Sequence, residues 1–261
     1  ALGEIDDNRA VPHLTEALRT EKSSKVKEKI VRALGEIDDP SAVNAVVGVL
    51  RDPSPEVRRA AVRALHEFEE QRGLDALTQL VRDDDTEVRR EVANALSDME
   101  NGTGIDALLT LAKDSDGEVR ANAIEGLHHF EDDTRARDAL IVALKDSEAH
   151  VRQHAADGLG SMGEKFKTAP RALIDAQSDP NRDVRRPAAS SLGNIGDEAA
   201  VPGLKRLIGD SDADTRRSAV EALKEIGGAE AIQALMGLLR DPDPEVRKTA
   251  AEALGKRRGG D

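Results

Sequence analysis

The chain has 261 residues, 38% hydrophobic and 34% charged, with three Phe and no Trp, Tyr or Cys. A compact globule of this length fills its interior partly with aromatic rings, so this chain builds its core from small aliphatic side chains at close helix contacts; without cysteine it has no disulfide, thiolate-bound metal or thiol nucleophile. No run of about 18 apolar residues and no secretory leader is present, so the expectation is a cytoplasmic protein without membrane contact, and a formal net charge of -13 speaks against a generic binder of nucleic acid or anionic membrane.

The residues Ala1-Leu2-Gly3-Glu4-Ile5-Asp6-Asp7 match Ala33-Leu34-Gly35-Glu36-Ile37-Asp38-Asp39 one for one. The chain therefore opens within a helix of a repeat, and a longer parent array is expected upstream. From there a valine recurs at Val26, Val57, Val88, Val119, Val151 and Val184, with Thr215 and Val246 continuing the series, at spacings of 31, 31, 31, 32, 33, 31 and 31 residues. Such regularity marks an array. The uneven steps and free drift of the other positions favour a natural array over an engineered one.

Each anchor is followed eight residues later by leucine, from Leu34 and Leu65 to Leu223 and Leu254, and at the seventh place by a small residue such as Ala33, Gly126 or Ser191. Offsets 0, 4, 7, 8 and 11 share one side of a helix, which predicts an amphipathic helix B in every repeat. Its start is marked three residues before the anchor by Ser23, Ser54, Asp85, Asp116, Glu148, Asn181, Asp212 and Asp243, nearly all good N-caps, with Pro55 and Pro244 at the first helical position. A shorter helix A precedes each helix B, for example over 42–50, 200–208 and 231–239, with Pro12 and Pro202 in first turns where proline is tolerated. Pro187 falls inside a helix B and predicts a kink or a late start there; with the extra residues 165–170 it marks 163–189 as the break in regularity. The tail 256–261 loses the apolar pattern and reads as a true end.

The pattern Asp-x4-Val-Arg-x2-Ala-x3-Leu-Gly resembles HEAT repeats of the short type found in phycobilisome-lyase-like proteins, over essentially the whole chain. The resemblance implies an all-α fold: a right-handed α-solenoid, or alpha-alpha superhelix, of about eight helix pairs plus the partial repeat 1–7, forming one domain over 1–261. It further implies that helices B line the concave face and helices A the convex one. It also implies a ladder between Asp52, Asp83, Asp114, Asp146, Asp179, Asp210 and Asp241 and Arg58, Arg89, Arg120, Arg152, Arg185, Arg216 and Arg247, the first repeat departing with Glu21 and Lys27. We read the ladder as structural, each fork bonding carboxylates of its own and the neighbouring repeat.

Function is then sought at offsets 2, 6, 9 and 10 of helix B, which face away from the buried stripe. Offset 2 carries Arg59, Arg90, Gln153, Arg186 and Arg217, and offset 6 carries Arg63, Asn94, Glu125 and Asp157. The groove is expected to be basic near its N-terminal end, acidic and histidine-bearing in the middle, and mixed beyond. Glu125-x-x-His128-His129 places a carboxylate and two imidazoles on one helical face, a spacing used by carboxylate-bridged metal sites, with Asn94, Asp98, His154 and Asp157 on adjoining helices. A solvated, partner-binding face is the favoured reading, and no cofactor is assigned. His66-Glu67 faintly resembles the repeated His-Glu pairs of di-iron HEAT hydroxylases but occurs once and late in its helix, so no ligands carry over. Phe68 and Phe130, at offset 11, are expected in the core.

The resulting expectation is a non-catalytic scaffold or adaptor that binds a protein or peptide, with an acidic segment, in the concave groove. The alternatives are a lyase-like or metal-dependent enzyme using the central His and Glu residues and, below it, a nucleic-acid binder. The basic stripe is short and lacks stacking aromatics, which disfavours the latter.

Overall fold

The computed structural model describes residues 8–68, 71–98 and 104–255. The partial repeat expected at 1–7 and the end expected at 256–261 lie outside the described residues. All regular structure among the described residues is helical, with 16 α-helices joined by turns and short 3-10 segments. Contacts divide the chain into two compact units, Ala1–Gly126 and Leu127–Asp261.

The first unit contains four helix pairs: α1 (Val11–Thr20) with α2 (Ser24–Ile37), α3 (Val43–Val47) with α4 (Pro55–Glu67), α5 (Gln71–Leu77) with α6 (Thr86–Ser97), and α7 (Ile105–Leu111) with α8 (Gly117–Gly126). The second contains α9 (Thr134–Ala143) with α10 (Ala149–Ser161), α11 (Arg171–Ala176) with α12 (Arg182–Ile195), α13 (Val201–Leu207) with α14 (Ala213–Ile226), and α15 (Gly228–Gly237) with α16 (Pro244–Gly255). The even-numbered helices are the predicted helices B. Within each unit they approach one another more closely than the odd-numbered ones do, which makes them the inner layer of each stack.

Several odd-numbered helices are short, five residues in α3 and six in α11. Helices of this length do not persist alone, and these are held by burying Val43, Val46 and Leu50, or Leu173 and Ala176, against helix B. Helix A at 231–239 starts earlier than predicted, at Gly228, where positive φ at Gly227 and Gly228 closes the turn from α14.

The even-numbered helices begin where the caps place them, but the caps are not uniform. Side chains of Asp85, Asp116, Asn181, Asp212 and Asp243 accept first-turn N–H groups. Ser23, Ser54 and Glu148 make no such bond, and the Ser54 hydroxyl donates to Glu56 at 2.6 Å instead. The start is fixed in either case, because the ladder aspartate two residues earlier accepts the N–H of the cap residue itself, as in Ser54 to Asp52 at 3.0 Å and Glu148 to Asp146 at 2.9 Å.

That second duty corrects the expected ladder. Arg58, Arg89, Arg152, Arg185 and Arg216 each fork the aspartate of the following repeat: Arg58 holds Asp83 at 2.7 and 2.6 Å, Arg152 holds Asp179 at 2.7 and 3.1 Å, and Arg216 holds Asp241 at 2.8 and 2.8 Å. Toward its own repeat the arginine bonds main-chain oxygen instead of a carboxylate, as Arg58 Nη1 does to the Asp52 carbonyl at 2.9 Å. The carboxylate of the own repeat is already occupied by the cap N–H and by the preceding arginine. Burial would raise the Asp114 carboxyl, yet the Arg89 fork and the Asp116 N–H hold it below the usual carboxylate range. At Asp241 the Arg216 fork outweighs burial and lowers the carboxyl. Lys27 takes the first rung through a single bond to Asp52.

Anchors from Val57 onward are 0–1% exposed, Thr215 included, and Phe68 and Phe130 are core. Val26 is the exception at 43%, and it belongs to the first described helix pair. Pro187 is buried in α12, which runs unbroken from Arg182 behind its cap Asn181, so the helix does not start late. The proline only deprives the Asp183 carbonyl of one N–H.

Candidate binding face

Offset 9 lies only partly on the exposed face: His66, His128 and Lys224 are half-buried there, whereas most of its small residues are interior. Gly35, Ser97, Gly160 and Gly193 occupy it and are buried. A Cβ placed on Gly35 would lie 3.0 Å from Ala64 Cβ, one on Gly160 2.2 Å from Ser191 Oγ, and one on Gly193 2.7 Å from Ala222 Cα. Offset 9 of one helix B therefore meets offset 7 of the next, where closely approaching backbones leave little room for side chains. His128, also at offset 9, is half-buried in this seam, its Cβ 3.5 Å from where a Cβ on Gly158 would stand. The recurrence of Gly and Ser at offset 9 was the sequence signal for the seam.

The exposed inner face is made by offsets 6 and 10, with offset 2 half-buried along its flank in the first unit. Arg63, Asn94 and Glu125 are exposed in the first unit, as are Asp157, Arg186 and Arg217 in the second; Arg59, Arg90 and Gln153 are half-buried. Between α2 and α4 lies a cavity of about 420 Å³ bordered by Arg32, Glu36, Asp38, Arg63 and Glu67.

The arginines predicted to form a basic stripe are engaged within the molecule. Arg63 Nη2 meets Glu91 at 2.8 Å, and Arg90 forks Asp116 at 2.9 and 2.8 Å while Nη1 reaches Glu87 at 3.0 Å. Arg59 is held more loosely, 3.9 Å from Glu87, and its shielded Nε has no hydrogen-bond partner. Asp116 receives the Arg90 fork and the Val119 and Glu118 N–H groups, which outweigh burial and bring its carboxyl to about 2. The sequence reading placed Asp116 only as an N-cap and did not connect Glu87, Glu91 or Asp116 with the arginines. Their link to the arginines is a separation of 26 or 28 residues, legible only once the repeat register is known.

In the second unit Arg217 bonds Asp214 of its own helix at 2.5 Å. Glu125 lies in the last full turn of α8 in the first unit, whereas His128 and His129 sit in a 3-10 turn, Leu127–His129, of the second. The α-helical spacing on which the proposed face relied thus ends at Gly126. The two imidazole rings lie 3.9 Å apart, tilted by 37°. Among the described residues no three His, Asp or Glu side chains are grouped so as to hold a metal ion.

Helix pairs repeated on a near-constant register, with ladder rungs in the turns of each unit and a varied exposed face, define an α-solenoid repeat protein. A family model for HEAT repeats matches residues 11–97, 44–125, 105–176 and 170–255, and the chain belongs to the HEAT repeat family. Among solved structures, the crystal structure of an engineered protein from the Northeast Structural Genomics Consortium shares this fold, with a TM-score of 0.62 and 23% identity, covering 100% of this chain and 84% of that one. No curated protein matches. No described helix is long and apolar enough to cross a membrane.

Proposed function

We propose that the chain is a non-catalytic interaction scaffold whose inner helix-B face receives a protein or peptide with an acidic segment. The observation that carries this reading is the division of labour along helix B. Offsets 0, 5 and 8, the seam and the ladder serve stacking in repeat after repeat, while offsets 6 and 10 are exposed and differ between repeats. A surface that stacking does not constrain is where partner choice is written.

In the first unit the anchor is Arg59, held more loosely than its neighbours on either side, Arg63 and Arg90. An incoming carboxylate on Arg63 or Arg90 has to exchange with Glu91 or Asp116, so binding is selective for several carboxylates in register rather than for negative charge in general. The test is affinity capture with the immobilised chain beside the variant Arg59→Glu/Arg63→Glu/Arg90→Glu. The scaffold should retain a protein that the triple variant loses and that elutes as salt rises. Equal retention by both removes this face from the function.

A further inference from the structure

Within each unit, neighbouring repeats are joined by the seam and the ladder, and the first and last described helix pairs each carry an unfilled half of both. At the seam a small residue at offset 9 meets a small residue at offset 7 of the next helix B, as Gly35 meets Ala64 and Gly193 meets Ala222. In α16 the offset-9 residue is Gly255, which is exposed and where an added Cβ would meet nothing within 4 Å. In α2 the offset-7 residue is Ala33, which is only half-buried, whereas Ala64, Ala95, Ala222 and Ala253 in the same column are buried.

The ladder is open at the same two places. In a filled rung, Nε and Nη2 of the arginine fork the next aspartate and Nη1 bonds main-chain oxygen, as in Arg216. Arg247 makes the main-chain half of this pattern, to the Asp241 and Pro242 carbonyls at 2.7 and 3.0 Å, and its Nε and Nη2 meet no carboxylate among the described residues. At the other end Glu21 stands five residues before its anchor, the place that Asp52 holds in the next repeat. Its Oε1 accepts the Ser23 and Lys22 N–H groups, both at 2.7 Å, and its Oε2 receives no donor among the described residues. Exposed apolar side chains accompany both. Val26 of α2 is 43% exposed where the later anchors are 0–1%, and Leu239, just after α15, is 44% exposed where Leu50 and Leu144, also seven residues before their anchors, are buried.

We propose that the chain associates head to tail with a second copy of itself, α15 and α16 of one molecule stacking on α1 and α2 of the next as a further repeat would. Gly255 then lies on Ala33 as Gly35 lies on Ala64, and the Arg247 fork closes on the Glu21 carboxylate. A second copy answers both ends at once: glycine faces alanine at the seam, guanidinium faces carboxylate at the ladder, and each end covers exposed apolar surface of the other. Such an interface is heterologous, so a molecule engaged at one end still offers the other.

The test is sedimentation or light scattering of the 261-residue chain over a concentration series, in which the mean mass should rise above the 28.0 kDa of one chain. Glu21→Arg or Arg247→Glu alone should return it to the mass of a single chain. Both substitutions in one chain should restore association, because the ion pair is then reversed instead of lost. The chain has no native cysteine, so the seam is read directly. Under oxidising conditions a mixture of Ala33→Cys and Gly255→Cys chains should give covalent dimers in large excess over either variant alone. A single-chain mass at every concentration, single charge reversals that associate as the parent does, a double reversal that stays monomeric, or disulfide dimers equally abundant in the separate variants overturns the proposal. Neither the inner face nor an outside partner enters the measurement, so its failure is distinct from failure of the proposed binding function.

Discussion

At the scale of single residues, the space next to an atom decides what each position tolerates. Gly193 and Gly237 both sit in helical backbone, but a Cβ on Gly193 would press on the Ala222 main chain at 2.7 Å, whereas one on Gly237 meets nothing within 4 Å. Gly193→Ala should lower stability by about 1–3 kcal/mol through overpacking. Gly237→Ala should raise it by about 0.4–1 kcal/mol by restricting the unfolded chain. Urea unfolding of the two variants beside the parent measures both signs, and the same sign in both would contradict the seam. The clearance at either glycine is not visible in the sequence, because a helical wheel shows which side a residue takes but not how near the neighbouring helix stands. For the same reason offset 9 looked like groove in the sequence: it lies at the edge of the buried stripe, and only the short distance to the next helix makes it interior.

At the scale of the helix, the starts are held by two separate devices, cap side chain and ladder aspartate, and their uneven use gives an ordered set of effects. Asp85 accepts the Val88 N–H through its side chain, so Asp85→Ala should cost about 1 kcal/mol. Ser54 bonds no N–H of its helix, and its own N–H is held by Asp52, so Ser54→Ala should cost only a few tenths of a kcal/mol. Thermal melts of the two variants test the order, and an equal loss would mean that Ser54 caps in solution. The start of helix B was legible because cap position and apolar stripe, with proline at the first position in two repeats, point to the same boundary, whereas the early end of α8 at Gly126 was not. Helix A was legible mainly as a connection of known length. Its short segments carry little propensity of their own and are defined by what they cover.

At the scale of the whole molecule, the acidity of the chain works through the ladder and the caps. Asp52, Asp114, Asp116, Asp210, Asp212 and Asp241 all have carboxyls held below the usual aspartate range, Asp116 at about 2, by hydrogen bonds and charges that outweigh burial. A group lowered in the folded state adds stability above its unfolded pKa and loses it as pH falls through the folded value. The chain should therefore lose stability between about pH 4 and about pH 2, and Asp116→Asn should flatten the fall; denaturation midpoints across that range check both. The ladder was expected from the resemblance to HEAT repeats, though its carboxylate partners lie in the following repeat and not in the arginine's own. The inner-face pairs were not, since a row of arginines counts as basic until the position of each next-repeat carboxylate is known. The seam has one more consequence, for the history of the array. Gly160 admits Ser191, Ser97 admits Gly126 and His128 admits Gly158, each bulkier partner meeting a smaller one. A duplication or exchange that set Ser97 against Ser191 would bring two side chains into a gap built for one. The repeats resemble interchangeable parts, yet each carries on one edge the shape of its proper successor, so their order is itself inherited information.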